Sequence, residues 1–197
     1  PKDIDIVVIT HAHWDHSQNV DLFPNAEFVI HPLEIEYSGH PRKSDFATAS
    51  YFHKTLDGLN IRKIQGGTLL EPGIKIIDTP GHTQGHISVV VETSEGSVVI
   101  AADALSDMGA IKRGTPYLIF WNEDQARSSV QKILREGQVF YPGHDRPFRL
   151  NNDGSTDYVG GDDHIKLFGQ LESDGSTIGV TLALETPRTT EIMPEAF

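Results

Sequence analysis

The sequence predicts an α/β (α+β) fold, in which short strands alternate with a few helices. Three observations predict this class: apolar runs rich in β-branched residues, amphipathic helical patterns, and Gly- and Pro-rich turns between them. The chain has 197 residues, of which 38% are hydrophobic, so it can bury a substantial core. We expect a core of residues 1–150 and a β-like C-terminal extension of residues 151–197 that packs on the same domain.

The first part of the chain is predicted to contain short strands and one helix. Ile4–Thr10 and Glu27–Ile30 are apolar runs that predict strands. Ser44–Leu56 lacks turn residues and carries apolar residues at helical spacing, which predicts a helix. Thr68–Leu70 and Ile74–Asp78 are predicted strands on either side of a Glu-Pro-Gly turn.

A predicted hairpin and a predicted helix follow. Ile87–Glu92 and Ser97–Ala101 are expected to pair through a short turn. Asn122 is a suitable N-cap, Gln125 completes a capping-box spacing, and apolar residues then recur on one face until Gly137. This segment carries the clearest helical signal in the chain.

The C-terminal part is predicted to be poor in helix. Gln138–Tyr141 is a predicted strand, and Asn151–Asp163 is rich in Gly, Asp and Asn, which predicts a loop. Ile165–Gln170 and Thr177–Leu184 are predicted to form a hairpin, followed by a loose tail over Glu185–Phe197.

Charge and composition exclude several classes of function. The formal net charge is −12 without a basic run, which excludes a phosphate-binding track for nucleic acid. The absence of cysteine excludes disulfide scaffolds, thiolate metal sites and cysteine nucleophiles. The longest apolar stretch, Val98–Leu105, is far shorter than the roughly 20 residues of a membrane-spanning helix, and no export leader opens the chain. We therefore expect a cytoplasmic protein without nucleic-acid or membrane partners.

A cluster of histidines directly follows the first predicted strand. His11, His13, Asp15 and His16 lie within six positions. In an extended segment, residues two positions apart point to the same side, so His11 and His13 can face one metal ion. Asp15 and His16 can face a second ion after a bend in the chain. An accidental grouping on a polar surface loop is the alternative interpretation.

A second candidate element is the Gly-rich turn that holds His82 and His86. Their spacing is also that of a helical zinc motif, but Pro80, Gly81 and Gly85 disfavour a helix. We predict that His82 is a metal ligand. For His86, a structural or hydrogen-bonding role beside the metal is favoured over direct ligation.

Two further candidate ligands follow predicted strands. Asp103 ends a buried apolar strand, where a carboxylate is costly unless a partner compensates its charge. A bridge between two cations would supply that partner, and a helix N-cap or turn residue is the alternative. His144 follows a Pro-Gly pair just after a short strand and is a weak signal by itself.

Together these side chains predict a site for two divalent metal ions, because loops at one edge of a sheet are where active sites are usually built. Imidazole and carboxylate ligands suit zinc first, with iron, manganese or cobalt as alternatives. Two ions joined by a carboxylate favour hydrolysis, since they activate a water and polarise a carbonyl. The other histidines are given no role: His31, His40, His53 and His164.

These motifs resemble the metallo-β-lactamase superfamily, whose most specific signature is the pattern His-x-His-x-Asp-His found at residues 11–16. The resemblance covers roughly residues 4–147 and implies an αβ/βα sandwich with the metals at one edge of its two sheets. It also implies the ligand sets, with His11, His13 and His82 on the first metal, Asp15, His16 and His144 on the second, and Asp103 bridging them.

Within the superfamily, the sequence looks like the N-acyl-homoserine lactonase branch. The run Pro80–Ser88, the spacing to Asp103 and the ending Gly143–Asp145 carry this likeness. The resemblance implies a hydrolase that opens a lactone, or cleaves a related small-molecule ester, by attack of a hydroxide held between the metals. Asp15 is then the catalytic residue that passes a proton to the departing alkoxide.

Two other functions stay open. A thioesterase of the glyoxalase II type also resembles this chain through Asp103, but its C-terminal part is helical and basic, whereas residues 151–197 look β-like and acidic. A non-catalytic metal-binding protein, or a truncated one, is the alternative from another class.

One position departs from the lactonase pattern. Lactonases of this branch carry a Tyr shortly after the bridging Asp that helps to stabilise the substrate carbonyl, and Ser106 stands near that position here. Tyr117 and Tyr141 are candidates to replace it. Trp14, inside the first motif, is expected to line the pocket.

The N-terminal region also departs from the family pattern, in which a block of strands precedes the first histidine motif. Here the motif begins ten residues after Pro1. We therefore expect a fragment or a truncated chain that lacks those N-terminal strands. The strand at Ile4–Thr10 would then have a free edge that invites pairing with another chain, so a homodimer is predicted.

Overall fold

A computed structural model of the protein describes residues 1–160, 164–170 and 177–183. The described chain contains two compact units, Pro1–Val159 and the unit that begins at Gly160. The first unit includes all the predicted metal ligands. Strands and helices alternate along it, which confirms the predicted α/β class.

The first sheet of this unit contains three parallel strands, β1 (Ile6–Val8), β2 (Glu27–Ile30) and β3 (Asn60–Lys63). Among the described residues, β1 lies at one edge of this sheet and pairs with β2, so the predicted N-terminal strand has a neighbour on one side. The homodimer stays a prediction. Short helices leave the strands on the connections, namely α1 (Trp14–Ser17), α2 (Pro32–Gly39) and α3 (Phe52–Thr55).

The predicted helix over Ser44–Leu56 is wrong for most of its length, because only α3 is helical there. The carboxylate of Asp45 accepts hydrogen bonds from the backbone N–H groups of Ala47 and Thr48, both at 2.9 Å. These side-chain bonds fold the segment into a turn and compete with helical backbone bonds.

The sequence analysis also missed α2, although a start signal was present. Pro32 occupies its first turn, where the missing N–H costs nothing. His31 caps the helix, since its Nδ1 accepts a hydrogen bond from the backbone N–H of Leu33 at 3.1 Å.

The second sheet has seven strands in the order β10-β9-β8-β7-β6-β5-β4. Neighbouring strands are antiparallel except β7 and β8, which are parallel and are connected through α4 (Ala110–Arg113) and α5 (Glu123–Glu136). The strands are β4 (Leu69–Glu71), β5 (Ile74–Asp78), β6 (Ile87–Thr93), β7 (Gly96–Ala102), β8 (Val139–Pro142), β9 (Phe148–Leu150) and β10 (Thr156–Tyr158).

Helix α5 confirms the clearest helical prediction. The Asn122 side chain accepts from the backbone N–H of Gln125 at 2.9 Å, and Gly137 is the C-cap. Its buried face includes Val130 and Ile133, which pack in one cluster with residues of β7 and β8. Burial of such a side chain contributes about 1.5–3 kcal/mol, so this face holds the helix against the sheet.

Three apolar clusters show the layering of the first unit. One joins β2 to α3 and includes Phe28 and Phe52. The second lies between the two sheets, where Val29 of β2 packs in the same cluster as Ile76 and Val89 of β5 and β6. The third joins the second sheet to α5. The described core is therefore a helix–sheet–sheet–helix sandwich.

The predicted loop Asn151–Asp163 contains a strand, β10, which forms a hairpin with β9. The turn is tight because the Asp153 side chain accepts from the backbone N–H of Ser155 at 2.9 Å and Gly154 has a φ of 85°. The first unit therefore extends to Val159.

The predicted C-terminal hairpin is present as β11 (His164–Gln170) and β12 (Thr177–Ala183), which pair antiparallel. The predicted tail, Glu185–Phe197, lies outside the described residues. Beyond Val159, the packing of the predicted C-terminal extension on the core stays a prediction. Within the described parts of the chain, no helix has the length and apolar character needed to cross a membrane.

Candidate metal centre

The first group of candidate ligands joins both sheets. His11 and His13 follow β1, His82 lies between β5 and β6, and Asp103 directly follows β7. All four side chains are buried, and one ligand atom from each lies within 4.8 Å of the others. Nδ1 of His13 and Nε2 of His82 are 3.0 Å apart.

The second group contains Asp15, His16 and His144, whose ligand atoms also lie within 4.8 Å of one another. Asp15 and His16 lie on α1, so the helical turn separates them from His11 and His13. Nε2 of His144 lies 3.4 Å from Nε2 of His16 and 3.5 Å from Oδ2 of Asp15. Asp15 and His144 are the more exposed members, which gives this group contact with solvent.

Asp103 lies between the two groups. Its Oδ2 is 3.2 Å from Nε2 of His82 in the first group and 3.2 Å from Nε2 of His144 in the second. Its Oδ1 is 3.3 Å from Nε2 of His16. The carboxylate is therefore within 3.3 Å of a histidine of each group.

The polar atoms of this cluster fit a pair of divalent cations. Within the described residues, Nε2 of His11 and Oδ1 of Asp103 are buried without a hydrogen-bond partner. Buried polar groups are normally paired, so two orphaned ligand atoms in one cluster indicate a missing partner that accepts lone pairs. A metal ion is such a partner, and imidazole and carboxylate donors are those that zinc uses.

Burial and neighbouring charges set the protonation of two of these donors, His11 and Asp103. Burial, reinforced by the neighbouring histidines His86 and His82, lowers the pKa of His11 well below its ordinary value, so the ring is neutral. Burial by itself raises the pKa of Asp103, but the hydrogen bond and the charge of His82 outweigh it, and the net pKa lies well below the usual range. The site therefore presents a neutral imidazole at His11 and an ionised carboxylate at Asp103.

Strained and close-packed backbone holds Asp103 in place. Ala102, directly before it, has a φ of 43°, which costs a non-glycine residue about 1–3 kcal/mol. A Cβ at Gly143 would overlap Oδ1 of Asp103, so the loop that carries His144 can approach only with glycine there. The backbone N–H of His144 donates to the carbonyl of Ser106 at 2.9 Å, which joins the two loops.

The loop of His82 is fixed in a similar way. Gly81 has a φ of 130°, and a Cβ there would overlap the backbone of Ala126 in α5. Nδ1 of His82 lies 2.8 Å from the carbonyl oxygen of Leu118, which leaves Nε2 directed at Asp103. Such a bond on the far nitrogen sets the tautomer of a metal-binding histidine.

His86 lies outside both ligand groups, and its structural role stays a prediction. It is buried, its Nδ1 is 2.9 Å from Oγ1 of Thr79, and its ring centroid is 4.9 Å from that of His11. Burial, with the neighbouring His82 next in size, lowers the pKa of His86 well below its ordinary value.

The residues that the sequence analysis placed near the substrate differ from one another in burial and hydrogen bonding. Ser106 is buried, and its Oγ accepts from the backbone N–H of Tyr117 at 2.9 Å while it donates to Asp107 at 2.7 Å. The backbone of Tyr117 is therefore anchored beside Ser106, and the residue is 69% exposed. Trp14 is 54% exposed between His13 and Asp15, and Tyr141 is also exposed.

Two buried acidic residues beside the ligands were missed by the sequence analysis. Asp45 contacts His13, with Oδ2 3.4 Å from its Nε2, and Glu34 accepts from the backbone N–H of Ala12 at 2.9 Å. Neither residue is part of a motif, and both belong to segments whose structure was not predicted correctly. No local signal separates them from the many exposed acids of this chain.

The comparison with known proteins shows the family. Residues 1–146 match the sequence profile of the metallo-beta-lactamase superfamily. This match covers more than half of the chain, so the protein belongs to that superfamily, and the sandwich described above is the metallo-beta-lactamase fold.

Among curated relatives, the chain is 28% identical over 151 residues to an N-acyl homoserine lactonase from Bacillus sp, and the match covers 74% of this chain and 57% of the lactonase. It is 31% identical over 157 residues to metallo-beta-lactamase domain-containing protein 1 from Xenopus laevis, which covers 78% of this chain and 59% of that protein. The chain thus spans less than two thirds of the length of these relatives.

The chain is also similar to solved structures of N-acyl homoserine lactonases. A mutant of AiiA from B. thuringiensis, with N-decanoyl-L-homoserine bound at the active site, has a TM-score of 0.61 and 28% identity over 71% of this chain and 55% of that chain. An N-acyl homoserine lactone hydrolase with N-hexanoyl-L-homoserine bound at its catalytic metal centre has a TM-score of 0.61 and 27% identity, at the same coverage.

Proposed function

We propose that this chain is a metal-dependent hydrolase that opens a lactone ring or cleaves a related carboxylic ester at a site for two divalent metal ions, with zinc as the first candidate. The observation that carries the proposal is the position of Asp103, 3.2 Å from a histidine of each ligand group. The likeness to lactonases at about 28% identity supports the choice of substrate class.

The candidate residues would bind metal, and one of them would also move a proton. His11, His13 and His82 would hold one ion, Asp15, His16 and His144 would hold the other, and Asp103 would contact both. Two such ions, when bound, lower the pKa of a water towards neutrality and polarise the substrate carbonyl.

Asp15 is the proposed proton carrier. Its Oδ2 lies 3.4 Å from Nε2 of His16 and 3.5 Å from Nε2 of His144, and its side chain is partly exposed towards solvent. A carboxylate in this place can take a proton from the attacking water and pass it to the alkoxide that leaves when the ester bond breaks. Asp15→Asn, which keeps a ligand oxygen but removes the proton acceptor, is expected to lower kcat by about 100-fold or more.

The first test is the metal content per chain, measured by elemental analysis on protein purified without chelator. About two equivalents are expected, followed by turnover of an N-acyl-homoserine lactone that a chelator abolishes. If the protein turns over a glutathione thioester in preference to the lactone, its substrate class is a thioester, as in the glyoxalase II type. Metal content near zero that added zinc does not restore would overturn the hydrolase proposal and favour a non-catalytic protein.

A further inference from the structure

Glu34 is a fully buried carboxylate in the first turn of α2, outside both groups of candidate ligands. Its Oε1 accepts from the backbone N–H of Ala12 at 2.9 Å. Its Oε2 accepts from Oγ1 of Thr83 at 2.9 Å and from the backbone N–H of Gly85 at 2.8 Å. One side chain thus contacts two segments that are more than 70 residues apart in the sequence.

These contacts lie directly beside the first group of ligands. Ala12 is the residue between His11 and His13, and Thr83 follows His82. The segment of Ala12 leaves the three-stranded sheet, and the loop of Thr83 leaves the seven-stranded sheet. The Glu34 carboxylate therefore joins the two halves of the ligand group across the sandwich.

Close packing and hydrogen bonds around Glu34 restrict the position of its side chain. A Cβ at Gly85 would overlap the backbone nitrogen of Glu34, so the His82 loop lies directly against α2. A buried carboxylate is costly unless it is well hydrogen-bonded. Burial raises the pKa of Glu34, and the hydrogen bonds from two backbone N–H groups and a hydroxyl oppose this shift. An apolar residue would pack α2 at a lower cost, which indicates that the three bonds themselves serve a purpose.

We propose that Glu34 is a positioning residue that sets the separation between the His11–His13 segment and His82, and so fixes the geometry of the first metal-ligand group. This inference rests on the proposed two-metal site. It makes a selective prediction, because the three donors to Glu34 are Ala12, Thr83 and Gly85, which are next to or near ligands of the first group, and none of them is next to His16 or His144. Loss of Glu34 should therefore lower the affinity for one metal ion and leave the affinity for the other unchanged.

The test compares Glu34→Gln with Glu36→Gln, which makes the same charge change at an exposed position of the same helix. Glutamine keeps the shape of Glu34 but turns an amide group towards hydrogen-bond donors. The metal-free proteins are titrated with zinc in competition with a chromophoric chelator, and their thermal unfolding is measured separately.

Wild type and Glu36→Gln are expected to bind about two zinc ions tightly. Glu34→Gln is expected to bind one of them with wild-type affinity and the other about 10–100-fold more weakly. Adding His144→Ala, in the second ligand group, should remove the remaining tight ion. Should Glu34→Gln fail to fold, Thr83→Val removes one of the three donors and should weaken the same ion by a smaller factor.

Three outcomes contradict the inference in different ways. Wild-type affinity for both ions in Glu34→Gln would remove the positioning role. Equal loss of both ions, in step with a lower unfolding temperature of the metal-free variant, would make Glu34 a purely structural residue. Failure of the wild type itself to bind zinc would overturn the proposed function, and the inference with it.

Discussion

The carboxylate of Asp45 lies 3.4 Å from Nε2 of His13, while Nδ1 of the same ring faces His82 at 3.0 Å. Asp45 is itself held by Tyr37, whose hydroxyl donates to it at 2.7 Å, and by Thr48. Burial alone raises the pKa of Asp45, but the hydrogen bonds from His13 and Tyr37 outweigh it, so the pKa lies well below the usual range. An ionised carboxylate on one ring nitrogen directs the lone pair of the other towards the metal.

We therefore expect Asp45→Asn to lower zinc affinity by about 10–100-fold, because the amide fixes the His13 tautomer less firmly. Chelator competition on the metal-free protein measures this change. Asp57→Asn, at an exposed position, is the matched control and should bind zinc like the wild type. Unchanged affinity in Asp45→Asn would show that the contact with His13 does not orient the ring.

Removal of the carboxylate between the two groups should have a larger effect. Asp103→Ala is expected to lose metal and activity together, with kcat/KM at least about 100-fold lower, because the proposed site has Asp103 contact both ions. Elemental analysis and a lactone assay on the same preparation measure the two properties. Asp21→Ala, at an exposed position, should change neither. Full activity with a complete metal content in Asp103→Ala would disprove the bridging role.

The elements that were predicted correctly are those whose signals are local. Helix α5 has its cap at Asn122, its apolar stripe and its terminal Gly137 in one continuous segment. The strand Ile74–Asp78 has the bounds that its apolar run and its turn predicted. In both cases the neighbouring residues in the sequence determine the backbone.

The helix predicted over Ser44–Leu56 was wrong because the interactions that compete with helix formation there are tertiary contacts. Asp45 binds the backbone N–H groups of its own turn, and its charge is in turn compensated by Tyr37 and His13. Apolar spacing cannot reveal such a partner. A side chain whose role depends on residues far along the chain carries no local signal.

The candidate site contains residues with a local sequence signal and residues without one. The ligands carry their own signal, since histidines and acids at strand ends are unusual, and the structure places all of them in two adjoining groups. Glu34 and Asp45 act on the backbone or the rings of those ligands from 22 and 32 residues away. Only the fold brings them there, so the sequence alone could not assign them a role.

Backbone strain and close packing at Gly81 should make substitution of this glycine destabilising. Gly81→Ala combines a φ of 130° with overlap of the new Cβ with Ala126 of α5, so we expect the free energy of unfolding to fall by about 2–4 kcal/mol. Gly58→Ala is the matched control, because Gly58 has a φ of 87° with open space around it and should cost only about 1 kcal/mol. Urea unfolding of the metal-free proteins measures both. Equal losses would mean that backbone strain alone explains the effect and that α5 does not restrict the His82 loop.

An aromatic path leads from the ligands to the surface. The ring of Phe120 is buried, with its centroid 5.1 Å from that of His13 and 5.5 Å from that of His82. Phe46 packs edge to face on Phe120, with 5.3 Å between the ring centroids, and the residue is 77% exposed. An exposed aromatic ring that continues the wall of the site is suited to the apolar part of a substrate.

If the substrate is an N-acyl lactone, its acyl chain should cover Phe46. Phe46→Ala is then expected to raise KM for a decanoyl lactone by about 3- to 10-fold, from the lost apolar contact, and to leave KM for a butanoyl lactone and both kcat values almost unchanged. Leu69→Ala, which removes an exposed apolar side chain from β4, should leave KM for both substrates unchanged. Steady-state kinetics on the two chain lengths separate the possibilities. An equal rise in KM for both lactones would mean that Phe46 does not contact the acyl chain.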